Sequence, residues 1–185
     1  MRRLVGRTLS GAPVLLLLAA CGGGGPNAVE RDYAAQVVSH HAQTIALLDL
    51  TLGRDNLDPR LGAYADRTRT ELFSEVDAAE KRLERWGEPV PQTALEHAHD
   101  QDGVTYDTSI PGVLSNDVVH SLETTTGRSF QGAWLRRLVS HERGAVRLAR
   151  RAVGEGENAA AIAAAQQDLE AHQHRVATLE GLLAR

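Results

Sequence analysis

The sequence contains little sulfur and few aromatic side chains, and each shortage excludes a class of site or fold. Its single cysteine, Cys21, excludes an intramolecular disulfide. Its single methionine is Met1, so the folded part of the chain has no thioether ligand for a soft ion such as Cu(I). Aromatic residues make up only 4% of the chain, whereas alanine is abundant, and this composition favours closely packed helices.

Lysine is also scarce, because Lys81 is the only one and the remaining basic charge is carried by arginine. The formal net charge is −4, and three of the arginines (Arg2, Arg3 and Arg7) lie in a predicted targeting segment. The mature chain is therefore still more acidic. Since phosphate binding needs a cationic face, this balance argues against nucleic acid as the main partner.

The first twenty residues have the pattern of a lipoprotein signal peptide. Basic residues precede an apolar run over Leu9–Ala20, which is too short to span a membrane. The run ends in Leu18–Cys21, L-A-A-C, which matches a bacterial lipobox. We expect residues 1–20 to be removed, Cys21 to be lipidated, and residues 21–26 to form a Gly-rich tether. The protein is then extracytoplasmic and anchored to the cell membrane. The alternative is ordinary secretory cleavage beside a chance cysteine.

The rest of the chain, residues 27–185, repeats one pattern. Tyr33–Leu48 (Y-A-A-Q-V-V-S-H-H-A-Q-T-I-A-L-L) has a weaker copy in Trp134–Ala149 (W-L-R-R-L-V-S-H-E-R-G-A-V-R-L-A). Aligning the copies pairs Val38 with Val139, Ser39 with Ser140, His40 with His141, and His41 with Glu142. Each copy opens a unit of helix, short loop and helix, so we predict hairpins over 27–87 and 128–185, joined by a connector over 88–127.

Capping residues and apolar stripes predict the helix boundaries. The first helix begins at Asn27 and the second at Asp58-Pro59, which Gly87 ends. Further helices are predicted over 115–126, after a Ser129 cap, and over about 157–184. The pattern predicts an all-α domain: a ferritin-like four-helix bundle made of two repeated helical hairpins, with a short extra helix in the crossover.

In the first hairpin, His40 and His41 flank the apolar stripe, and Glu75 faces inward from the antiparallel second helix. Two imidazoles and a carboxylate at one level suit a divalent ion such as Zn²⁺ or Cu²⁺. The same three residues also suit a hydrogen-bonded polar cluster with no ligand. Spacing alone favours the polar cluster without a ligand, because such pairs commonly serve structure.

In the second hairpin, His141 is kept, Glu142 replaces the second histidine, and Arg175 stands where Glu75 stands in the first. We predict a Glu142–Arg175 ion pair there, so this half is interpreted as structural. His172 also faces inward and is a candidate partner of His141, so both are further candidate ligands. The side chains of Glu96–Asp102 are of the types that chelate a cation, but a solvated acidic loop is the favoured interpretation because nothing fixes their geometry.

Catalytic motifs are missing. The sequence has no nucleophile elbow, and its predicted bundle helices carry no Glu-x-x-His motif of a dinuclear oxidase, so we expect a binding module rather than an enzyme.

The doubled motif resembles a bacterial family known as domain of unknown function 305, which has ferritin-like bundles and some copper-binding members. The family pattern is similar to F-x-x-x-M-I-x-H-H-x-x-A-I-x-M-A, followed by Q-x-x-E-I-x-x-M on the next helix. Matching residues are Tyr33, His40, His41, Thr44, Ile45, Glu75 and Val76, then Trp134, His141, Gly144, Ala145, Val146 and Val176, with Trp86–Pro89 resembling the family's W-G-x-P.

The resemblance implies the fold and a metal-binding function, but this chain departs from the family at its methionines. Those positions hold aliphatic residues here: Val37, Leu47, Ala79, Leu138, Leu148 and Leu179. The core is kept and the soft Cu(I) ligands are lost. We therefore predict a diverged metal-binding lipoprotein with a site at His40, His41 and Glu75. The alternative is a structural or protein-interaction module of the cell envelope without metal; the sequence identifies no protein partner.

Overall fold

The computed structural model describes residues 25–93 and 105–185, and every regular element within them is an α-helix. The helices in chain order are α1 (Ala28–Asp49), α2 (Pro59–Trp86), α3 (Asn116–Thr124), α4 (Gly127–Glu155) and α5 (Ala159–Leu183). Helices α1 and α2 form the first hairpin, α4 and α5 form the second, and α3 lies in the crossover. The predicted all-α bundle with a short extra helix is confirmed.

Capping side chains determine where most of the helices begin. Asn27 accepts a hydrogen bond from the Glu30 backbone N–H (3.0 Å), and the Glu30 carboxylate accepts one from the Asn27 N–H (2.7 Å). This is the reciprocal capping box predicted for α1. Asp58 caps α2 ahead of a first-turn proline, and Gly87 ends it in the left-handed conformation at φ 70°. These boundaries are set by local sequence.

The start of α4 differs from the prediction. The helix begins at Gly127 and its N-cap is Thr126, so the predicted cap Ser129 lies inside the first turn. A long-range contact lies at this point of the chain. The guanidinium of Arg54 donates hydrogen bonds to the carbonyls of Leu122 and Glu123 at the end of α3 and to that of Thr125 in the turn (2.6 Å). The turn is therefore fixed from outside, without a side-chain cap.

Helices α1 and α4 run antiparallel through the centre of the bundle. At one end, the Trp134 indole N–H donates to the carbonyl of Leu47 (2.7 Å); at the other, the Asn27 side chain donates to the carbonyl of Glu155 (2.9 Å). Large apolar side chains fill the space between the four long helices. The fully buried ones include Ile45, Leu48, Leu72, Leu83, Phe130, Trp134, Leu138 and Leu179. Each stabilises the fold by roughly 1.5–3 kcal/mol.

Part of the connector packs tightly against the bundle. The buried Gln43 side chain donates to the Leu114 carbonyl (2.8 Å) and accepts from the Leu114 N–H (2.7 Å). Nearby, Gly112 lies directly on Gly144 of α4, where an added Cβ would stand 2.1 Å from the carbonyl oxygen of Pro111. Only glycine permits so close an approach. This contact brings the Gly112 carbonyl into the bundle core.

Three features predicted from the sequence lie outside the described residues: the signal segment, Cys21 and the loop over Glu96–Asp102. Within the described residues, none of the helices is long and apolar enough to cross a membrane.

Candidate functional site

Four histidine side chains meet in the core, and both hairpins contribute to the cluster. His40 and His41 come from α1, His141 from α4 and His172 from α5, and each is at most 1% exposed. The ring centroids of His40 and His141 are 3.7 Å apart, those of His40 and His172 are 5.9 Å apart, and those of His41 and His172 are 5.2 Å apart. The antiparallel crossing of α1 and α4 explains why the two repeated histidines stack. The structure thus brings all four predicted histidines together.

The stacked pair, His40 and His141, braces the two hairpins. Nε2 of His40 lies 3.1 Å from the carbonyl oxygen of His141, and Nε2 of His141 lies 3.3 Å from the carbonyl oxygen of His40. His141 also has the Gly112 carbonyl 2.9 Å from its Nδ1 and the Thr44 hydroxyl 2.9 Å from its Nε2. Both nitrogens of His141 therefore have polar partners, unlike those of the other three histidines.

The other three histidines each present a buried ring nitrogen without a hydrogen-bond partner. These atoms are Nδ1 of His40, Nδ1 of His41 and Nε2 of His172. Burying an unpaired polar atom is costly, and most such atoms in folded proteins are satisfied. The hydrogen-bond network of the cluster is therefore incomplete at three ring nitrogens.

Two of these imidazoles are supported by carboxylates. His172 donates from Nδ1 to Oε2 of Glu142 (2.7 Å), and this pair is almost completely buried. His41 Nε2 lies 3.4 Å from Oε2 of Glu75. A carboxylate on the far nitrogen is the usual outer support of a metal-bound histidine, because it fixes the ring and raises its basicity.

Arg175 does not make the predicted ion pair with Glu142. Its guanidinium instead crosses from α5 to α2, where it donates to Oε1 of Glu75 (2.5 Å) and lies 3.7 Å from Oε2 of Glu71. His172, one turn earlier on α5, occupies the position facing Glu142. The prediction assumed that partners stay within one hairpin, whereas the helical register of α5 directs Arg175 to the opposite hairpin.

Burial sets the protonation of the cluster. It lowers the pKa of His40 and of His41 well below the ordinary value, and neighbouring positive groups lower both further. Burial also lowers the pKa of His141. Burial would raise the pKa of Glu142, but the attraction and hydrogen bond of His172 outweigh it, so the pKa is lowered. At neutral pH these three imidazoles are therefore uncharged, and Glu142 is ionised.

The donor set suits a borderline divalent ion. Neutral imidazole binds Zn²⁺ and Cu²⁺, and the family's methionine positions are filled here by buried aliphatic side chains such as Leu47 and Leu138. Within residues 25–93 and 105–185, however, no group of three or more His, Cys, Asp or Glu side chains is arranged to hold a metal ion as it stands. A bound ion would require at least one side chain of the cluster to rotate.

Sequence reasoning missed the residues that support the cluster from a distance. Gly112 supplies a carbonyl from the connector, and Tyr33 donates to Asp168 of α5 across the bundle (2.7 Å). Burial raises the pKa of both groups of this second pair. Aromatic and acidic residues at inward helical positions could have suggested the Tyr33–Asp168 contact, but nothing in the sequence indicates the position of Gly112.

Comparisons with known proteins agree with this architecture. A family model described as domain of unknown function (DUF305) matches residues 30–183. A search of curated proteins found no match. Among solved structures, a DUF305 fragment from Deinococcus radiodurans is 22% identical with a TM-score of 0.72, covering 88% of this chain and 99% of that one.

Two further structures share the fold. A candidate secreted DUF305 protein from Streptomyces coelicolor is 18% identical, with a TM-score of 0.69 and coverage of 84% of this chain and 91% of that one. CopM in its Cu(II)-bound form is 15% identical, with a TM-score of 0.65 and coverage of 84% and 95%. The match of the family model confirms the resemblance drawn from the doubled histidine motif. The chain belongs to the DUF305 family.

Proposed function

We propose that this protein is an exported, lipid-anchored binding protein that holds a divalent metal ion, Zn²⁺ or Cu²⁺, through buried imidazoles. The ligands are His40 and His41 from the first hairpin and His172 from the second. The observation that carries the proposal is the set of three buried ring nitrogens without partners. Metal coordination would satisfy all three at once.

The carboxylates act beside the ligands. Glu142 supports His172 by accepting a hydrogen bond from its Nδ1–H, which leaves the Nε2 lone pair free for a metal. Glu75, predicted as a direct ligand, is already bound by Arg175. It contributes negative charge near His41 and becomes a ligand only if Arg175 moves away.

The similarity to CopM supports a metal as the ligand, since CopM is known in Cu(II)-, Cu(I)- and silver-bound forms. This chain lacks the thioethers that select soft ions. We therefore expect Cu(I) to bind weakly and the borderline divalent ions to bind better.

A second function is favoured by Arg175. Its buried guanidinium places a permanent positive charge beside His41 and neutralises the charge of Glu75. In both respects Arg175 takes the place that a metal cation would have. On this alternative, the bundle is a metal-free structural or protein-interaction module of the cell envelope.

Calorimetric titration of the mature chain with Zn²⁺ and with Cu²⁺ separates these functions. We expect one ion per chain for the wild type and strongly reduced binding for His41→Ala and for His172→Ala. His174→Ala is the matched control, because His174 is an exposed histidine on the same helix as His172. Absence of binding by the wild type, or equal loss in the control, would favour the metal-free module.

Anchoring is tested separately from metal binding. Because Cys21 closes the lipobox, Cys21→Ser should release the protein from the membrane fraction of cells. If the variant fractionates like the wild type, the anchor is not at Cys21.

A further inference from the structure

In the central part of α4, the exposed side is almost entirely arginine. Helix α4 is buried on its other sides, against α1, α5 and the connector. Between residues 136 and 151, its exposed residues are Arg136, Arg137, Ser140, Arg143, Arg147, Arg150 and Arg151. We call these six arginines the arginine stripe. It is unusual here because the chain as a whole is acidic, with a formal net charge of −4.

Most of the charge of the arginine stripe is not neutralised by the residues that the structure describes. Arg143 pairs with Glu180 (2.6 Å) and Arg151 with Glu155 (3.2 Å), and all four side chains are well exposed. Across the described ranges, the other four arginines of the stripe have no acidic partner. Exposed ion pairs contribute little to stability. The stripe therefore does little for folding and presents a cationic face to solvent.

A shallow groove lies alongside the stripe, between α4 and α5. Arg143, Arg147 and Arg150 line it together with Val146 and Val176. Guanidinium groups bind phosphate through two parallel hydrogen bonds, and the valines offer a small apolar contact beside them. A phosphate with an apolar neighbour is the chemistry of a phospholipid headgroup.

The hydrogen bonds at the start of α1 place it beside one end of the arginine stripe. The Asn27 side chain donates to the carbonyl of Glu155, and Glu30 accepts hydrogen bonds from the N–H groups of Glu157 (2.8 Å) and Asn158 (2.6 Å). The start of α1 is thus fixed to the end of α4, one turn beyond Arg151. Cys21 precedes Asn27 by six residues, which extend to at most about 21 Å.

We infer that the arginine stripe is a membrane-docking surface that binds anionic phospholipid headgroups and lays the bundle along the bilayer. The inference rests on the anchoring part of the proposed function, because the lipid at Cys21 keeps the stripe within reach of the membrane. Anionic lipid surfaces attract clustered basic side chains, and the attraction adds up over the stripe. The partner is the bilayer itself.

The test uses the mature chain from residue 21 with Cys21→Ser, which keeps every described residue and cannot carry the lipid. Binding to vesicles of phosphatidylcholine alone is compared with binding to vesicles of phosphatidylcholine and phosphatidylglycerol in equal parts. The stripe variant is Arg136→Gln, Arg147→Gln and Arg150→Gln together. The matched control removes the same charge from exposed positions of α2, through Arg67→Gln, Lys81→Gln and Arg85→Gln.

We expect binding only to the anionic vesicles, weakening with salt. Each arginine removed should lower the affinity for anionic vesicles about fivefold. The stripe variant should therefore bind roughly a hundredfold more weakly, while the affinity of the control changes little. Equal losses in the two variants, or equal binding to both kinds of vesicle, would overturn the docking surface. Absence of vesicle binding altogether would also overturn it and would point to an acidic protein partner. These outcomes are independent of the fractionation of Cys21→Ser in cells, which tests the anchor alone.

Discussion

The two hairpins repeat one sequence pattern but carry complementary groups. At the position after the repeated histidine, the first hairpin has His41 and the second has Glu142. On the returning helices, Leu72 and Glu75 in α2 correspond to His172 and Arg175 in α5. Each hairpin keeps one imidazole–carboxylate contact, but the two groups have exchanged helices.

Through this exchange, the two hairpins contribute to one polar cluster. Arg175 connects the hairpins by pairing with Glu75 at 2.5 Å, and the candidate ligands come from both halves. In a duplicated fold, the partner of a polar side chain can therefore lie in the other half of the molecule. A change in one copy is compensated by its partner in the other.

The largest expected effect comes from making the second hairpin resemble the first at His172. His172→Leu leaves Glu142 buried without its partner, so we expect a loss of about 3–5 kcal/mol in the free energy of unfolding. Urea denaturation at neutral pH measures it. Adding Glu142→Gln should recover much of the loss because the stranded charge is removed. A loss below about 1 kcal/mol would show that the pair is not buried in solution.

The apolar core offers a second comparison, between the equivalent positions Leu138 and Val37. Leu138 is fully buried, so Leu138→Ala should cost about 2–5 kcal/mol. Val37→Ala removes fewer carbon atoms and should cost less. Thermal and urea melts of both variants show which substitution lowers the free energy of unfolding more. A larger loss for Val37→Ala would contradict the packing described for α4.

Local patterns determine much of the fold, which is why the sequence predicts it well. The capping box of Asn27 and Glu30 and the stop at Gly87 use neighbouring residues only. Apolar stripes such as the one containing Leu72 report which side of a helix is buried. These signals are short in range and can be read along the chain.

The pairing of polar groups could not be read in the same way. Whether Arg175 meets Glu142 or Glu75 depends on the rotation and register of α5 against α2, and a shift of one turn exchanges the partners. The N-cap of α4 likewise depends on Arg54, which is distant in sequence. Long-range geometry decided both points.

A third prediction concerns Arg175, which stands in α5 at the position that Glu75 has in α2. Glu75 is partly exposed, so Arg175→Gln should cost only about 1–3 kcal/mol in the free energy of unfolding. It also removes a positive charge beside the imidazoles, which should tighten Zn²⁺ binding by about tenfold or more. Calorimetric titration beside the wild type measures this. Unchanged or weaker binding would mean that Arg175 does not oppose the metal.

The last prediction is a dependence of stability on pH. Burial lowers the pKa of His40, His41 and His141, so the unfolded chain binds more protons below about pH 6.5. Their contribution is therefore fully present above that pH and is lost as the pH falls. Each histidine adds up to about 1.4 kcal/mol per pH unit.

Urea melts between about pH 7 and pH 5, above the range of ordinary carboxyl groups, measure that dependence. His41→Leu should flatten the profile, while the exposed-site control His174→Ala should not. A flat profile in the wild type would contradict the burial of the neutral rings.

The most direct test of the shared site is nitrogen NMR of the histidine side chains during addition of Zn²⁺ to the mature chain. We predict that one ion per chain shifts Nδ1 of His40, Nδ1 of His41 and Nε2 of His172, while His141 keeps both of its hydrogen-bonded nitrogens unchanged. Shifts confined to His97 and His99 of the connector, to the exposed His120 and His174, or to no histidine at all would contradict a metal site shared by the two hairpins.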